Sequence, residues 1–268
     1  MTVPHHLFRA WKQVLTRAER AGRVILFTDF DGTLAPIKRH PQAVNLHPAV
    51  RRALSELAER GILRGVVSGR SLGDLIPRIA IPGIWYVGAH GFFLRDPRDR
   101  RFSLLNAKQR KQISRAHEEL ARLLRGLPAI RLEPKAATVA VHYRGASPRS
   151  REQARLIIAR ILTNDRNLRL LHGKKVWQIL PKSSVDKGAA IRFILRREAA
   201  KPAPLTLAFY VGDDETDELA FRRLRGISIR VGKSRRTAAS YYLKSPAEVR
   251  QFLEKIGRIP LHGQTRTL

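Results

Sequence analysis

The stretch Val24-Ile25-Leu26-Phe27-Thr28-Asp29-Phe30-Asp31-Gly32-Thr33-Leu34 limits the possible folds more than any other. An apolar run that stops at two carboxylates and passes at once into Gly-Thr reads as a buried parallel strand delivering acids to its C-terminal edge. Open α/β sheets bind their ligands at that edge. Side chains alternate along an extended chain, so Asp29 and Asp31 are expected on one side, where they can share a divalent cation. Gly32 then lets the backbone turn so that amides face an anion. Alone, Asp-x-Asp-Gly reads equally well as a surface turn after a core strand; the rest of the chain separates the two.

The same punctuation recurs. The periodicity of Leu7, Trp11, Val14, Leu15 and Ala18 predicts a helix over 5–20, and Pro48 opens another with Val50, Leu54, Leu57 and Ala58 on one face, closed by Gly61. A short apolar run over 62–67 ends in Ser68-Gly69-Arg70, and a third strand and turn is expected over 85–91. A helix over 186–197 carries Lys187 just inside its start, and a strand over 205–211 runs into Gly212-Asp213-Asp214-Glu215-Thr216-Asp217-Glu218. The next strand spans 227–231, and Ser245-Pro246-Ala247-Glu248 has the form of a capping box before a last helix.

Between about 102 and 183 the alternation breaks. A basic amphipathic helix over 106–124 with Ile113, Leu120 and Leu124 on its apolar side precedes strands over 130–133 and 137–144, with a turn signal at Pro134-Lys135. A second helix from Ser147-Pro148 precedes strands over 168–172 and 176–180. Helix-strand-strand twice over is an inserted α+β lobe rather than more β-α alternation.

Composition narrows the chemistry. The 268 residues, 43% hydrophobic, suffice for a packed core and contain no run near the ~20 apolar residues of a membrane span, so a soluble, cytoplasmic protein without membrane contact is expected. A monomer is expected. With no cysteine, thiolate catalysis and disulfides are out and any metal must sit on oxygen or imidazole, which suits Mg2+. The net charge of +30, from 52 Lys+Arg against 22 Asp+Glu, would draw in any phosphate ester. No zinc knuckle or RNP-like strand accompanies it, so specific nucleic-acid binding is not expected.

Parallel topology would place Asp29/Asp31, Ser68/Arg70, Asp213/Asp214/Asp217 and Lys187 at one edge. Several acids for a hard cation, with a lysine, a serine and an arginine for phosphate oxygens, suit phosphoryl transfer. A carboxylate is a competent nucleophile toward phosphorus once cations offset the repulsion of two anions, and an acid two residues on can protonate the leaving oxygen. No GxxxxGK[ST] loop is present.

DFDGTLAP, VVSGRS, the lysine of VDKG and GDDETDE, in that order, resemble the four motifs of the haloacid dehalogenase superfamily of phosphatases. YVGAHGF, EPK followed by VAVHYR, GKKVWQILP and the spelling GDDxTDE resemble the trehalose-phosphatase family within it, over about residues 22 to 256. The resemblance implies an α/β fold, a Rossmann-like parallel sheet core over 1–101 and 184–268 with an inserted α+β cap domain over 102–183. It implies magnesium-dependent hydrolysis of a small-molecule sugar phosphate, trehalose 6-phosphate. By the same resemblance Asp29 is the nucleophile and Asp31 the general acid and base, with Lys187 completing the catalytic set. The metal ligands are the Asp29 carboxylate, the Asp31 carbonyl and Asp213, with Asp214 and Asp217 in or near the shell. Ser68 and Lys187 bind the phosphoryl group, Arg70 supports the Ser68 loop, and Gly32 and Thr33 join the substrate-binding residues.

In the cap, Glu133 and Lys135, His142 and Arg144, and Lys174 and Gln178 form polar pairs, with Val139, Val141 and Tyr143 on the opposite face. Glu133, Lys135, Arg144, Lys174 and Gln178 are implied as sugar contacts. His90 either contacts substrate at a hinge or bonds its own turn. Gln178 departs from the family, which usually has Glu there, and bears on sugar specificity. Sucrose-phosphate and mannosyl-phosphoglycerate phosphatases remain alternatives, as does a polyanion-binding protein on the same fold.

Overall fold

The computed structural model describes residues 3–38, 40–173, 175–182, 185–199, 205–234 and 236–259. The chain divides into two compact units, Met1–Phe102 together with Val185–Leu268, and Ser103–Ser184.

In chain order the first unit contains β1 (His5–His6), α1 (Trp11–Glu19), β2 (Arg23–Asp29), α2 (Pro48–Glu59), β3 (Leu63–Val67), α3 (Leu72–Ile79), β4 (Trp85–Gly88), β5 (Phe93–Arg95) and β6 (Arg101–Ser103), the last reaching the boundary. The intervening unit holds α4 (Ala107–Leu123), β7 (Arg131–Lys135), β8 (Thr138–His142), α5 (Pro148–Asn164), β9 (Leu168–Gly173) and β10 (Val176–Pro181). The first unit resumes with α6 (Lys187–Ala199), β11 (Thr206–Gly212), α7 (Glu218–Arg223), β12 (Gly226–Val231), β13 (Tyr241–Leu243) and α8 (Pro246–Ile256).

The first unit's sheet has the order β1-β13-β12-β11-β2-β3-β4-β5-β6. Pairing is parallel from β1 through β4 and turns antiparallel at β5. β2 lies in the middle because its side chains are buried on both faces, as its unbroken apolar run requires. Val24 and Leu26 join a core with Val14 and Ala18 of α1, Leu54 and Leu57 of α2, and Phe252 and Leu253 of α8. Each of the larger side chains among these contributes about 1.5–3 kcal/mol by leaving water. Helix α2 ends as its Gly61 requires. That residue has φ +63°, and the bonds Gly61 N–H to Ala58 O and Ile62 N–H to Leu57 O turn the chain straight into β3.

In the second unit the order is β7-β8-β10-β9, antiparallel throughout. Ile113, Leu120, Ile158 and Ile161 of α4 and α5 pack with Val139, Val141, Trp177 and Ile179, so both helices lie on one face of this sheet.

Several local expectations change. Residues 5–6 are not helical: His5 and His6 pair in parallel with Tyr241 and Tyr242, an edge strand that helical spacing concealed, and Leu7–Ala10 form a 3-10 turn ahead of α1. On α2, Ala53 is buried and Ala58 exposed. The turn expected at Pro134-Lys135 lies two residues later, at Ala136-Ala137, because β7 is an edge strand in which a proline without N–H is tolerated. Ser245 makes no capping bond; Glu248 instead accepts from Lys244 N–H and from His6. Strands β5, β6 and β13 and helix α7 were too short to show a period. Among the described residues no helix is long and apolar enough to cross a membrane.

Candidate active site

Asp29 is the last residue of β2 and stands level with Val67 of β3, whose next residue is Ser68. On the other flank, β11 runs parallel to β2 and delivers Asp213 one residue past its end. Sheet order alone thus gathers three segments far apart in sequence. Lys187 enters from the first turn of α6, 2% exposed, and its Nζ donates to Asp29 Oδ1 at 2.8 Å and to Asp217 Oδ1 at 2.7 Å.

Two glycines permit the crowding. Gly32 has φ +88°, and a Cβ there would stand 2.1 Å from Asp213 Oδ2; one on Gly212 would stand 2.3 Å from the Asp217 carboxyl carbon. Gly32 therefore serves the approach of Asp213. Its N–H is not presented to an anion, as expected from the sequence, but bonds Ala35 O. The Thr33 hydroxyl is likewise directed to Asp213, donating to Oδ1 at 3.2 Å.

Asp217 is fully buried and takes four donors: Lys187 Nζ and the Tyr210 hydroxyl on Oδ1, and the N–H groups of Asp213 and Asp214 on Oδ2. Carboxylate oxygens of Asp29, Asp213 and Asp217 lie within 4.8 Å of one another, a spacing that one cation can bridge. With Asp217 saturated, Asp29 and Asp213 are the carboxylates left to hold it. Asp214 uses Oδ1 to cap the following turn, accepting from Thr216 and Asp217 N–H.

The electrostatics point the same way. Burial, then the neighbouring Asp217 and Asp214, pushes Asp213 up to about 7. Burial likewise raises Asp29 well above the ordinary carboxylate range, although Lys187 opposes it. Lys187 is buried, which works against its charge, yet Asp217 and Asp29 hold it well above the usual lysine value. One ammonium among Asp29, Asp213, Asp214 and Asp217 leaves negative charge uncompensated, and an all-oxygen donor set fits a hard divalent cation.

Asp31 departs from its expected position. β2 ends at Asp29, the strict alternation ends with it, and the Asp31 side chain turns to Arg70 instead of sharing a cation with Asp29. Arg70 grips it with two bonds, Nε to Oδ2 at 2.6 Å and Nη2 to Oδ1 at 2.7 Å, while Nη1 donates to Asp74 Oδ2 at 2.6 Å. Asp74 is held in turn by Arg78, which donates to the Gln42 and Val44 carbonyls. Ser68 is buried, and its Oγ accepts from Arg70 N–H, closing the loop.

His90 lies in a left-handed run: Ala89, His90 and Gly91 have φ +50°, +58° and +109°. Its N–H bonds Ser68 O, and a Cβ on Gly69 would lie 2.6 Å from its ring. A Cβ on Gly91 would lie 2.5 Å from Asp186 O. The turn is wedged between the Ser68 loop and the start of α6.

In the second unit, Glu133 stands opposite Ala140, and Ala140 opposite Gln178, on the face away from α4 and α5. Glu133 Oε2 meets His142 Nε2 at 2.7 Å and Lys135 Nζ at 3.4 Å. Arg144 is not on this face as a strand residue: β8 ends at His142, and Arg144 is exposed in a turn that Gly145 completes with φ +81°. Lys174 lies outside the described residues. Sequence reasoning missed Tyr210, Asp74 and Arg78; Tyr210 alone carried a signal, sharing the strand face of Gly212 two residues on.

The fold is shared with a haloacid dehalogenase-like hydrolase from Bacteroides thetaiotaomicron, which superposes with a TM-score of 0.66 at 14% identity, covering 87% of this chain and 99% of that one. Residues 27–247 match the family model of the trehalose-phosphatases, and the chain belongs to that family. A trehalose-phosphate phosphatase of Mycobacterium tuberculosis is 35% identical over 242 residues, 87% of this chain and 61% of that one. The chain thus spans about three fifths of its mycobacterial relatives. A trehalose 6-phosphate phosphatase of Zea mays is 31% identical over 262 residues, 90% of this chain and 72% of that one. Among solved structures, the Aspergillus fumigatus trehalose-6-phosphate phosphatase matches with a TM-score of 0.67 at 27% identity, covering 95% of this chain and 98% of that one.

Proposed function

We propose that the protein is a magnesium-dependent phosphatase that hydrolyses trehalose 6-phosphate. The observation that carries this reading is the buried carboxylate of Asp29 at the sheet edge, bonded to Lys187 beside Asp213 and Asp217. Asp29 attacks phosphorus, forming an acyl phosphate as the bond to the sugar oxygen breaks. Asp31 gives its proton to that oxygen, then takes one from the water that attacks the aspartyl-phosphate, releasing phosphate and restoring Asp29. Lys187 and Ser68 bind phosphoryl oxygens.

Mg2+ on Asp29, Asp213 and the Asp31 carbonyl, with Asp214 nearby, would offset the negative charge that otherwise repels a phosphate ester. Arg70 holds both oxygens of Asp31, so proton transfer requires that side chain to leave its partner. We assign residues 103–184 as the cap and the polar face of its sheet, with exposed Glu133 and half-buried Lys135 and Gln178, as the sugar-binding surface; Arg144, Lys174 and His90 are assigned to the same task.

Phosphate release from trehalose, sucrose and glucose 6-phosphates, with and without magnesium, tests the reading. Turnover of trehalose 6-phosphate above the others, abolished by chelation, is expected. Preference for another sugar would replace the substrate and leave the aspartyl mechanism standing; no release from any ester would overturn both.

A further inference from the structure

Tyr210 lies in the middle of the large sheet, one strand from Asp29, with no exposure. Nothing in the phosphatase chemistry above uses it. A phenylalanine would serve packing alone: the ring already meets Phe221 at 5.6 Å between centroids. The hydroxyl is what needs an explanation.

That hydroxyl donates to Asp217 Oδ1 at 2.5 Å, the same oxygen that Lys187 Nζ reaches at 2.7 Å. Lys187 in turn divides its ammonium between Asp217 and Asp29 and lies 3.8 Å from Asp214 Oδ1. A buried carboxylate oxygen accepts two good hydrogen bonds, and here it accepts one from a neutral donor and one from a charged donor. Without the phenol, Asp217 Oδ1 would have the ammonium alone to satisfy it. Because Asp217 and Lys187 are buried, the ammonium would be drawn toward Asp217 and away from Asp29.

We propose that Tyr210 is a positioning residue for the nucleophile: by occupying one side of Asp217, its hydroxyl keeps Lys187 on Asp29 and leaves an N–H for the entering phosphoryl group. The inference rests on the phosphatase reading above. The effect falls on the step in which two anions meet, so it belongs to turnover rather than to sugar binding.

Tyr86 provides a matched control. It is equally buried in the same sheet, its hydroxyl donates to Ile81 O at 2.8 Å and accepts from Ile81 N–H at 3.1 Å, and it makes no hydrogen bond to the acids of the site. Tyr210→Phe and Tyr86→Phe each delete one buried hydroxyl.

The wild type and both variants are compared in three measurements with magnesium: phosphate release from trehalose 6-phosphate and from p-nitrophenyl phosphate, binding of beryllofluoride followed by fluorine NMR, and Tm. Beryllofluoride mimics a phosphoryl group on Asp29 without turnover. Tyr210→Phe is expected to lower kcat about 10-fold on both esters, with KM within about 2-fold, and to weaken beryllofluoride by a similar factor. Tyr86→Phe is expected to lower Tm and leave both readouts alone. If Tyr210→Phe behaves as Tyr86→Phe does, losing only Tm, the proposal is wrong. A wild type that releases no phosphate and binds no beryllofluoride would instead sink the phosphatase reading and this inference with it. A wild type that merely prefers another sugar leaves the comparison intact on the aryl ester.

Discussion

The strand-edge cluster and the polar face of the four-stranded sheet use the same residue types in opposite surroundings. Asp29 and Lys187 are 4% and 2% exposed, and the Lys187 ammonium bonds the carboxylates of Asp29 and Asp217, each carried by a different segment. Glu133 and Lys135 lie 3.4 Å apart with side chains 50% and 28% exposed. Such an exposed pair is worth about 0–1 kcal/mol, whereas removing one partner of a buried pair costs about 3–5 kcal/mol. Burial makes the first region rigid and its charges interdependent. The second keeps charges that water already satisfies and that can be reassigned to a ligand. The first suits chemistry and the second recognition.

The largest test of this contrast is Asp29→Asn. The amide preserves shape but lacks the attacking oxyanion and one negative charge in a crowded site. Activity on every ester should fall by at least about three powers of ten with the fold retained, since Lys187 keeps Asp217 as its partner. Rapid phosphate-release assays beside thermal melts measure both; activity above about 1% of wild type would place the nucleophile elsewhere.

Metal and pH sharpen the same point. Asp213 has its pKa raised to about 7 from an ordinary 3.8, and Asp29 is raised as well. For a carboxyl raised in the folded state, the unfolded chain binds fewer protons between the two values, so stability falls as pH rises through that window. Asp214 and Asp74 are lowered instead, so their contribution is already complete above about pH 4 and does not oppose this slope. Metal-free protein should therefore lose Tm between about pH 4.5 and 7, and Mg2+ should restore more Tm at pH 7.5 than at pH 5. A flat metal-free profile, or equal rescue at both pH values, would show that the acids are compensated without a cation.

A smaller and more selective effect is expected on the other side of the comparison. Glu133→Ala or Lys135→Ala should reduce kcat/KM for trehalose 6-phosphate about 10- to 100-fold and leave p-nitrophenyl phosphate within about 2-fold, because remote contacts act only on a substrate long enough to reach them. Tm should hardly change. Equal losses on both esters would deny the sheet face a role in recognition.

The legibility of the sequence followed the same division. Asp29, Asp213 and Ser68 could be read because each sits where an apolar run stops, and parallel order brings such stops together; Lys187 could be read from its place at a helix start. What could not be read were the partners chosen in three dimensions. Asp31 was expected beside Asp29 because alternation was extended past the end of β2; one residue of turn was enough to send it to Arg70. The capping box at Ser245 had the right letters, but Glu248 was claimed by His6, 242 residues away. On the second sheet the apolar face was legible in Val139 and Val141, while Arg144 fell beyond a strand end that only the Gly145 turn reveals.

The finest test concerns Gln178, which stands on the same face as Glu133, two strands away across Ala140. The trehalose-phosphatases that this chain resembles usually carry Glu at that point. A glutamate presents acceptors only, with charge, to sugar hydroxyls; glutamine presents one acceptor oxygen and two N–H donors. Charge-assisted hydrogen bonds contribute about 1 kcal/mol more than neutral ones, a few-fold in kcat/KM. If the exposed face recognises trehalose 6-phosphate, Gln178→Glu should preserve or raise kcat/KM for it by up to about 5-fold and leave glucose 6-phosphate nearly unchanged. The buried cluster predicts nothing of the kind, since a charge added on a solvated face should not reach it; p-nitrophenyl phosphate turnover should stay constant. If the glutamine is instead adapted to a different sugar, the substitution should lower kcat/KM for that sugar, and trehalose 6-phosphate should already be a poor substrate of the wild type. Side-by-side kinetics on trehalose, sucrose and glucose 6-phosphates distinguish the two. A wild-type preference for either of the latter would reassign the recognition surface and leave the chemistry of Asp29 untouched.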